Sequence, residues 1–182
     1  MNLYEKCLHR KIVYQGKYVR TEEQTVLLPD GTETIREIVS PPDAVGIFAL
    51  GPNEEVYLVR QYRPAIGQIT LEIPAGIIDP GERPSDTAKR ECAEETGWMP
   101  GKLQHFMSYY HSVGFSTGKI DLFLGKELVS MPTVHLDAGE FIERVTLPFD
   151  TLYQQAIEGL IIDSKTLLAA FWYQQNRPHL KL

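Results

Sequence analysis

The 23-residue stretch Gly76–Trp98, GIIDPGERPSDTAKRECAEETGW, constrains this chain more than any other. Within it, Pro84 or Ser85 is predicted to open a helix and Gly97 to close it. On that helix Glu91, Glu94 and Glu95 lie within about a third of the circumference, one turn apart. Each pair of like charges at this spacing costs about 0.2–0.5 kcal/mol, and no cation in the stretch obviously neutralises them all. A hard divalent cation would do so, because it binds carboxylate and carbonyl oxygens.

A solvated acidic helix face is the simplest alternative, but the stretch also follows a longer pattern. The pattern is glycine, five residues, Glu, seven residues, Arg-Glu, an apolar residue, any residue, Glu-Glu, any residue, glycine and an apolar residue. By this pattern the chain resembles the Nudix hydrolases. Cys92 stands where an aliphatic residue is usual, and cysteine packs as a small hydrophobe. Eight positions match: Gly76, Glu82, Arg90, Glu91, Glu94, Glu95, Gly97 and Trp98.

Composition sets further bounds on the chain and its partners. Its 182 residues predict one structural unit, and a net charge of −6 argues against a nucleic-acid partner. An acidic protein needs metal ions or arginines to receive an anionic substrate. Two cysteines make no disulfide framework and favour a reducing compartment. With no signal-peptide pattern and no apolar run of membrane-spanning length, we expect a cytoplasmic protein without a membrane partner.

Runs of apolar and β-branched residues between turn signals predict an antiparallel N-terminal meander followed by further strands. The expected helices are 84–96, 150–158 capped by Asp150, and 164–175. On the last helix Leu167, Leu168, Phe171 and Trp172 are predicted to form the apolar face. The expected strands are 11–21, 23–28, 32–39, 44–50, 55–61, 69–73, 104–110, 119–124 and 141–147.

Three further segments resemble the ADP-ribose pyrophosphatase and nucleoside diphosphate sugar branch of the Nudix family. They are Arg-Glu at 36–37, RQYR at 60–63 and LEIPAG at 71–76. The resemblance implies an α/β fold, an α/β/α sandwich around a mixed β-sheet, with the N-terminal antiparallel β-meander. It implies that residues 1–40 form a homodimer interface, so that both chains help to form each site. Residues 41–182 are then the Nudix hydrolase domain.

The same resemblance implies Mg²⁺-dependent hydrolysis, with Mn²⁺ as a second possible cofactor. Glu91, Glu95 and the backbone carbonyl of Ala75 are the implied metal ligands, and i, i+4 spacing lets both carboxylates reach one ion. Glu94 is close enough to bind a further ion and take part in catalysis, or to support the other ligands. The remaining support is an ion pair that orients the loop and the ligands, formed by Glu82 and Arg90.

Related enzymes place the general base in the loop that precedes strand 141–147. Glu140 is the first candidate there, and Asp137 and Glu143 remain alternatives. All three acids also fit an ordinary loop.

Two arginines correspond to residues that hold the substrate phosphates in related enzymes. Guanidinium forks suit phosphate oxygens, so Arg36 and Arg63 are the predicted contacts. A surface salt bridge, for example from Arg36 to Glu37, is the alternative. Tyr14 or Tyr18 is expected either to stack on the base or to lie in the core. Three histidines lack zinc-ligand spacing and are interpreted as structural or surface residues: His105, His111 and His135.

One loop departs from the ADP-ribose-preferring pattern. Val113 replaces the usual proline, and Gly118 stands where an acid is common. Valine frees the backbone angle that proline fixes, and glycine removes a polar contact. The predicted substrates are therefore nucleoside diphosphate sugars such as ADP-ribose or GDP-mannose, hydrolysed to a nucleoside monophosphate and a sugar phosphate. A non-catalytic nucleotide-sugar-binding module and a nucleoside triphosphatase are the competing hypotheses.

Overall fold

The chain forms two units, each with its own sheet. The computed structural model describes residues 2–131, 139 and 141–180. The sequence did not indicate that residues 109–119 join the first unit. The first unit is Met1–Asp43 with Tyr109–Lys119, and the second is Ala44–Ser108 with Ile120–Leu182.

The first unit contains a three-stranded antiparallel sheet in the order β1-β2-β3, which confirms the predicted meander. The prediction of one strand over 11–21 is wrong, because Gly16 donates its N–H to the carbonyl of Val19 at 2.9 Å and turns the chain there. The segment 109–119 attaches at β3, where the Val39 N–H donates to the carbonyl of Phe115 at 2.7 Å. The strands are β1 (Lys6–Gln15), β2 (Arg20–Leu27) and β3 (Glu33–Ser40).

The second unit contains a seven-stranded sheet in the order β10-β5-β4-β9-β8, with β6 beside β5 and β7 beside β4. It is mixed, because β4 runs parallel to β9 and antiparallel to β5 and β7. The short strand β7 occupies a segment that was expected to be loop. The strands are β4 (Ala44–Leu50), β5 (Glu55–Arg63), β6 (Gln68–Glu72), β7 (Ala75–Ile77), β8 (Trp98–Tyr110), β9 (Lys119–Ser130) and β10 (Ile142–Pro148).

Helix α1 begins and ends where the sequence predicts. Pro84 occupies its first turn, where its missing N–H has no intrahelical partner in any case. Gly97 ends it at φ 82° and donates its N–H to the carbonyl of Ala93 at 2.8 Å. The helices are α1 (Pro84–Thr96), α2 (Phe149–Ile157) and α3 (Ser164–Asn176), followed by a short 3-10 helix, Arg177–His179.

Both faces of the central strand β4 are covered, which confirms the α/β/α sandwich. Its odd-numbered residues, Val45 to Ala49, pack with Ala88 and Cys92 of α1. Phe48 points the other way, with its ring centroid 6.1 Å from that of Phe149 in α2 and 5.2 Å from that of Tyr173 in α3. Burial on both faces explains the nearly continuous apolar sequence of this strand.

One prediction about the C-terminal helices is wrong, and the burial of α3 does not follow its apolar pattern. Asp150 does not cap α2, which begins at Phe149, and its carboxylate instead accepts from Arg177 Nη1 at 2.7 Å. The predicted apolar face of α3 is not its buried face, since Phe171 is 42% exposed and Leu167, Leu168 and Trp172 are only half-buried. The residues of α3 that are buried are Lys165, Thr166, Ala169, Ala170 and Tyr173. In the described part of the chain no helix has the length and apolar character needed to cross a bilayer.

Candidate active site

Strand β7 and helix α1 bring the three predicted metal ligands together. Glu95 is 4% exposed, and its Oε2 accepts a hydrogen bond from the N–H of Ala75 at 2.9 Å. Glu91 lies against the next residue of the strand, because a Cβ built on Gly76 would be 2.0 Å from the Glu91 Cδ. A side chain at residue 76 would therefore displace the Glu91 carboxylate, and the two carboxylates flank the Ala75–Gly76 backbone.

Arg90 binds three of the four glutamates in this region. It holds Glu82 with two hydrogen bonds of 3.1 and 3.3 Å, and its Nη1 donates to Glu91 at 2.7 Å and to Glu94 at 3.0 Å. The hydrogen bond from Arg90 lowers the pKa of Glu82, and that same bond raises the pKa of Arg90. Arg90 therefore offsets part of the negative charge on this helix, although none of these hydrogen bonds goes to Glu95.

The last carbonyls of α1 are bound by an arginine that the sequence analysis missed. Arg144 of β10 donates from Nε to the carbonyl of Glu95 at 2.9 Å and from Nη2 to that of Glu94 at 3.1 Å. These carbonyls have no intrahelical partner, so a cation suits them. Arg144 stands about fifty residues beyond the helix, and nothing local in the sequence links the two.

The chemistry of this donor set fits a hard divalent cation. Glu91 and Glu95 supply carboxylate oxygens beside residues 75 and 76, and Ala75 has a backbone carbonyl that a hard ion could also use. Within the described residues no three histidine, cysteine or acidic side chains are placed so that they could hold a metal ion by themselves. The set contains no histidine or thiolate, so it does not resemble a zinc site.

Arg63 sits in a buried ionic network that the sequence analysis did not anticipate. Its Nε and Nη2 donate to the two carboxylate oxygens of Glu72 at 2.7 and 2.6 Å. Lys165 binds the same carboxylate from α3. Burial alone would raise the pKa of Glu72, but the hydrogen bonds from Arg63 and the charge of Lys165 lower it to about 2. The Glu72–Arg63 bond also raises the pKa of Arg63.

Arg36 lies on β3 of the first unit. It makes hydrogen bonds of 3.1 and 2.7 Å to the carboxylate of Glu5, and not to the neighbouring acid Glu37 that the sequence suggested. The side chain keeps 41% of its surface exposed, so a phosphate can still reach it.

Of the three acids considered for the general base, only Glu143 lies within the described residues. Its carboxylate pairs with Arg60 of the neighbouring strand β5 at 3.3 Å and is 65% exposed. Glu140 and Asp137 fall outside the described residues. Glu94 is half-buried beside Arg90.

The aromatic and histidine candidates have ordinary surroundings. Tyr14 and Tyr18 are 60% and 56% exposed, so of the two alternatives the core position does not hold within this chain. His105 makes a 3.0 Å hydrogen bond with Ser108. A Cβ on Gly118 would lie 2.2 Å from Nε2 of His111, which explains the glycine in this loop. His135 falls outside the described residues.

Comparisons with known proteins agree with this geometry. A family model described as NUDIX domain matches residues 40–168. The "Methanol dehydrogenase activator" of Bacillus methanolicus is 34% identical over 171 residues, covering 93% of this chain and 92% of that protein. The "ADP-ribose pyrophosphatase" of Bacillus subtilis is 33% identical over 174 residues, covering 95% and 94%. A solved structure titled "Crystal structure of ADP compounds hydrolase" shares the fold, with a TM-score of 0.87, 19% identity and full coverage of both chains.

Proposed function

As the chain belongs to the Nudix family and is a pyrophosphohydrolase of that family, we propose that it hydrolyses nucleoside diphosphate sugars. The products are a nucleoside monophosphate and a sugar phosphate. One observation carries the proposal: Glu91 and Glu95 flank the Ala75–Gly76 backbone at the start of the signature stretch. The similarity to the Bacillus subtilis ADP-ribose pyrophosphatase over almost the whole chain supports the substrate class.

The cofactor in this proposal is Mg²⁺, with Mn²⁺ as a substitute. Glu91, Glu95 and the carbonyl of Ala75 would hold it, as their oxygen donors suit a hard ion. When bound, such an ion neutralises diphosphate oxygens and promotes ionisation of water. The Nη1 of Arg90 also donates to Glu91 at 2.7 Å, so Arg90 holds one of these carboxylates in place.

The chain's own residues then bind the substrate and move a proton. Arg36 and Arg63 hold the phosphates, because both guanidinium groups keep exposed surface for an anion. Glu140 is the first choice for the carboxylate that accepts a proton from the attacking water. Glu94 supports catalysis beside the metal ligands, and the Glu82–Arg90 pair holds the loop against α1.

We also propose that the protein is a homodimer that uses residues 1–40 as its interface. Support comes from apolar side chains on β1 and β3 that remain 45–60% exposed, a surface that a partner would cover. The exposed residues are Leu8, Ile12, Val13, Tyr14 and Ile35. Light scattering should give twice the monomer mass of 20.7 kDa.

We propose a cytoplasmic location for the protein. Both cysteines are free thiols, which supports this location.

The substitution Glu95→Gln tests the function. The amide keeps an acceptor for the Ala75 N–H, so the fold should survive, while the metal loses a charged ligand and turnover falls by at least about 100-fold. Glu158→Gln at the end of α2 is the matched control, because that carboxylate bonds only to Gln154 among the described residues. Product mass should be measured with Mg²⁺ or Mn²⁺ across a panel of nucleotide sugars that includes ADP-ribose and GDP-mannose.

Three results would overturn the proposal. Near-wild-type activity of Glu95→Gln would remove the metal assignment. Tight binding of a nucleotide sugar without formation of a monophosphate would favour the binding module. Faster turnover of nucleoside triphosphates than of every nucleotide sugar would favour the triphosphatase.

A further inference from the structure

Four charged side chains form a compact network at the junction of β5, β6 and α3. Glu72 is 1% exposed and lies between two cations, Arg63 and Lys165. Asp163 is the fourth member and accepts from Lys165 Nζ at 2.9 Å. Thr70 adds a hydrogen bond to Glu72 at 2.5 Å. Every oxygen of the buried glutamate therefore has a donor, which satisfies the group fully.

Lys165 is the unusual member, because it is a lysine with only 6% of its surface exposed. Lysines are almost never this buried unless they are paired. A buried ion pair rarely stabilises a fold more than apolar residues of the same volume would. A stabilising role alone therefore gives little reason for a lysine at this position.

The same turn of α3 also holds the backbone that leads to the metal site. Thr166 accepts from the N–H of Ile73 at 2.8 Å, and Asp163 caps the helix by accepting from the N–H of Thr166 at 3.0 Å. Ile73 is two residues before Ala75, which donates to Glu95. The first turn of α3 thus contacts Ile73, which precedes the predicted metal ligand Ala75, and also Glu72, which binds Arg63.

Of the two cations in the network, Arg63 has the more exposed side chain. Its side chain is 42% exposed, whereas that of Lys165 is 8% exposed. The pair with Glu72 uses Nε and Nη2, so among the described residues the Nη1 group of Arg63 has no hydrogen-bond partner. Because Lys165 shares the Glu72 carboxylate, only part of the charge of Glu72 opposes Arg63, whereas without Lys165 the whole charge would oppose it. Asp163 offsets part of the charge of Lys165 in turn.

We propose that Lys165 is a positioning residue for the substrate diphosphate: it holds and neutralises Glu72, so that Arg63 is oriented and keeps its attraction for phosphate. The inference rests on the proposed function. By this inference α3 contributes to substrate binding indirectly, because Lys165 acts through Glu72 and Arg63.

The substitution Lys165→Met removes the ammonium group and keeps the aliphatic stem. The dissociation constant of ADP-ribose, measured by calorimetry with a chelator present, should rise about tenfold, as one charged hydrogen-bonding contact is weakened. With Mg²⁺, KM should rise by a similar factor while kcat changes little. Lys165→Gln is the second variant, since it restores a donor to Glu72 without the charge and should also weaken binding.

A double-mutant cycle tests whether Lys165 acts through Arg63. In an Arg63→Ala background, Lys165→Met should cause no further rise in either constant. Arg177→Met is the matched control: it removes a cation from the other end of α3, where Arg177 binds Glu54 and Asp150. That variant should lower the melting temperature and leave ADP-ribose binding unchanged.

Unchanged binding in both Lys165 variants would overturn the inference, as would an equal loss in the Arg63→Ala background. A loss of the same size in Arg177→Met would also do so, because it would indicate a general effect of α3 stability. If the wild type binds ADP-ribose without hydrolysing it, the proposed function fails while the binding comparison still decides the role of Lys165. A wild type that neither binds nor hydrolyses overturns both.

Discussion

The buried carboxylate of Glu72 makes a stability prediction that depends on pH. In Glu72→Gln, the amide keeps the shape of the side chain but places N–H donors against donors of Arg63 or Lys165. Burial alone would raise the pKa of Glu72, yet its two cationic partners lower it from an ordinary 4.5 to about 2. A carboxyl group whose pKa is lower in the folded state stabilises the fold above its unfolded pKa, and this stabilisation is lost as pH falls toward the folded pKa.

The size of the effect follows from that shift. A change of about two and a half pKa units corresponds to about 3 kcal/mol of unfolding free energy at pH 7. Linkage predicts that this contribution falls to about 1 kcal/mol at pH 3. Because Glu72 is 1% exposed, solvent screens the interaction little.

Urea unfolding of wild type and Glu72→Gln should be followed by circular dichroism at pH 7, 5, 4 and 3. Other titrating groups are common to both proteins, so the difference between them isolates Glu72. The variant should be less stable by about 3 kcal/mol at pH 7 and 5, and the gap should narrow below pH 4.5. A gap that stays constant down to pH 3 would refute the reasoning, as would a gap that widens with acid.

Three further predictions concern the signature helix and the thiols. Gly76→Ala should force Glu91 away from β7 and weaken Mn²⁺ binding, read by electron paramagnetic resonance, at least about tenfold; wild-type affinity would contradict the close approach. Arg144→Leu should lower the unfolding free energy by about 1–2 kcal/mol, since two helix carbonyls lose their donor; an unchanged urea midpoint would contradict this. Burial raises the pKa of Cys92 to about 12, so at pH 8 a thiol reagent should modify Cys7 rapidly and Cys92 only after denaturation. Equal rates in the native protein would show that Cys92 is accessible.

The features predicted well from the sequence are those set by local chemistry. Helix α1 starts at Pro84 and ends at Gly97 because a missing N–H and a left-handed backbone are properties of single residues. Strand β4 has its predicted bounds because burial on both faces requires a continuous apolar run. The spacing of Glu91 and Glu95 likewise follows from helix geometry alone.

The features that were missed depend on partners far apart in the chain. Lys165 reaches Glu72 across 93 residues, and Arg144 reaches the end of α1 across about fifty. Periodicity predicted an apolar face on α3, but it did not indicate that Lys165 is among the buried residues of the helix, where a satisfied ionic network holds it.

The sequence by itself therefore determined the signature helix, its carboxylates and the family chemistry, because one turn of helix suffices to define them. Only the tertiary structure decided which cations neutralise those carboxylates and how Arg63 is held. Pairing of buried charges depends on distances of about 3 Å between elements, and no local pattern encodes such distances.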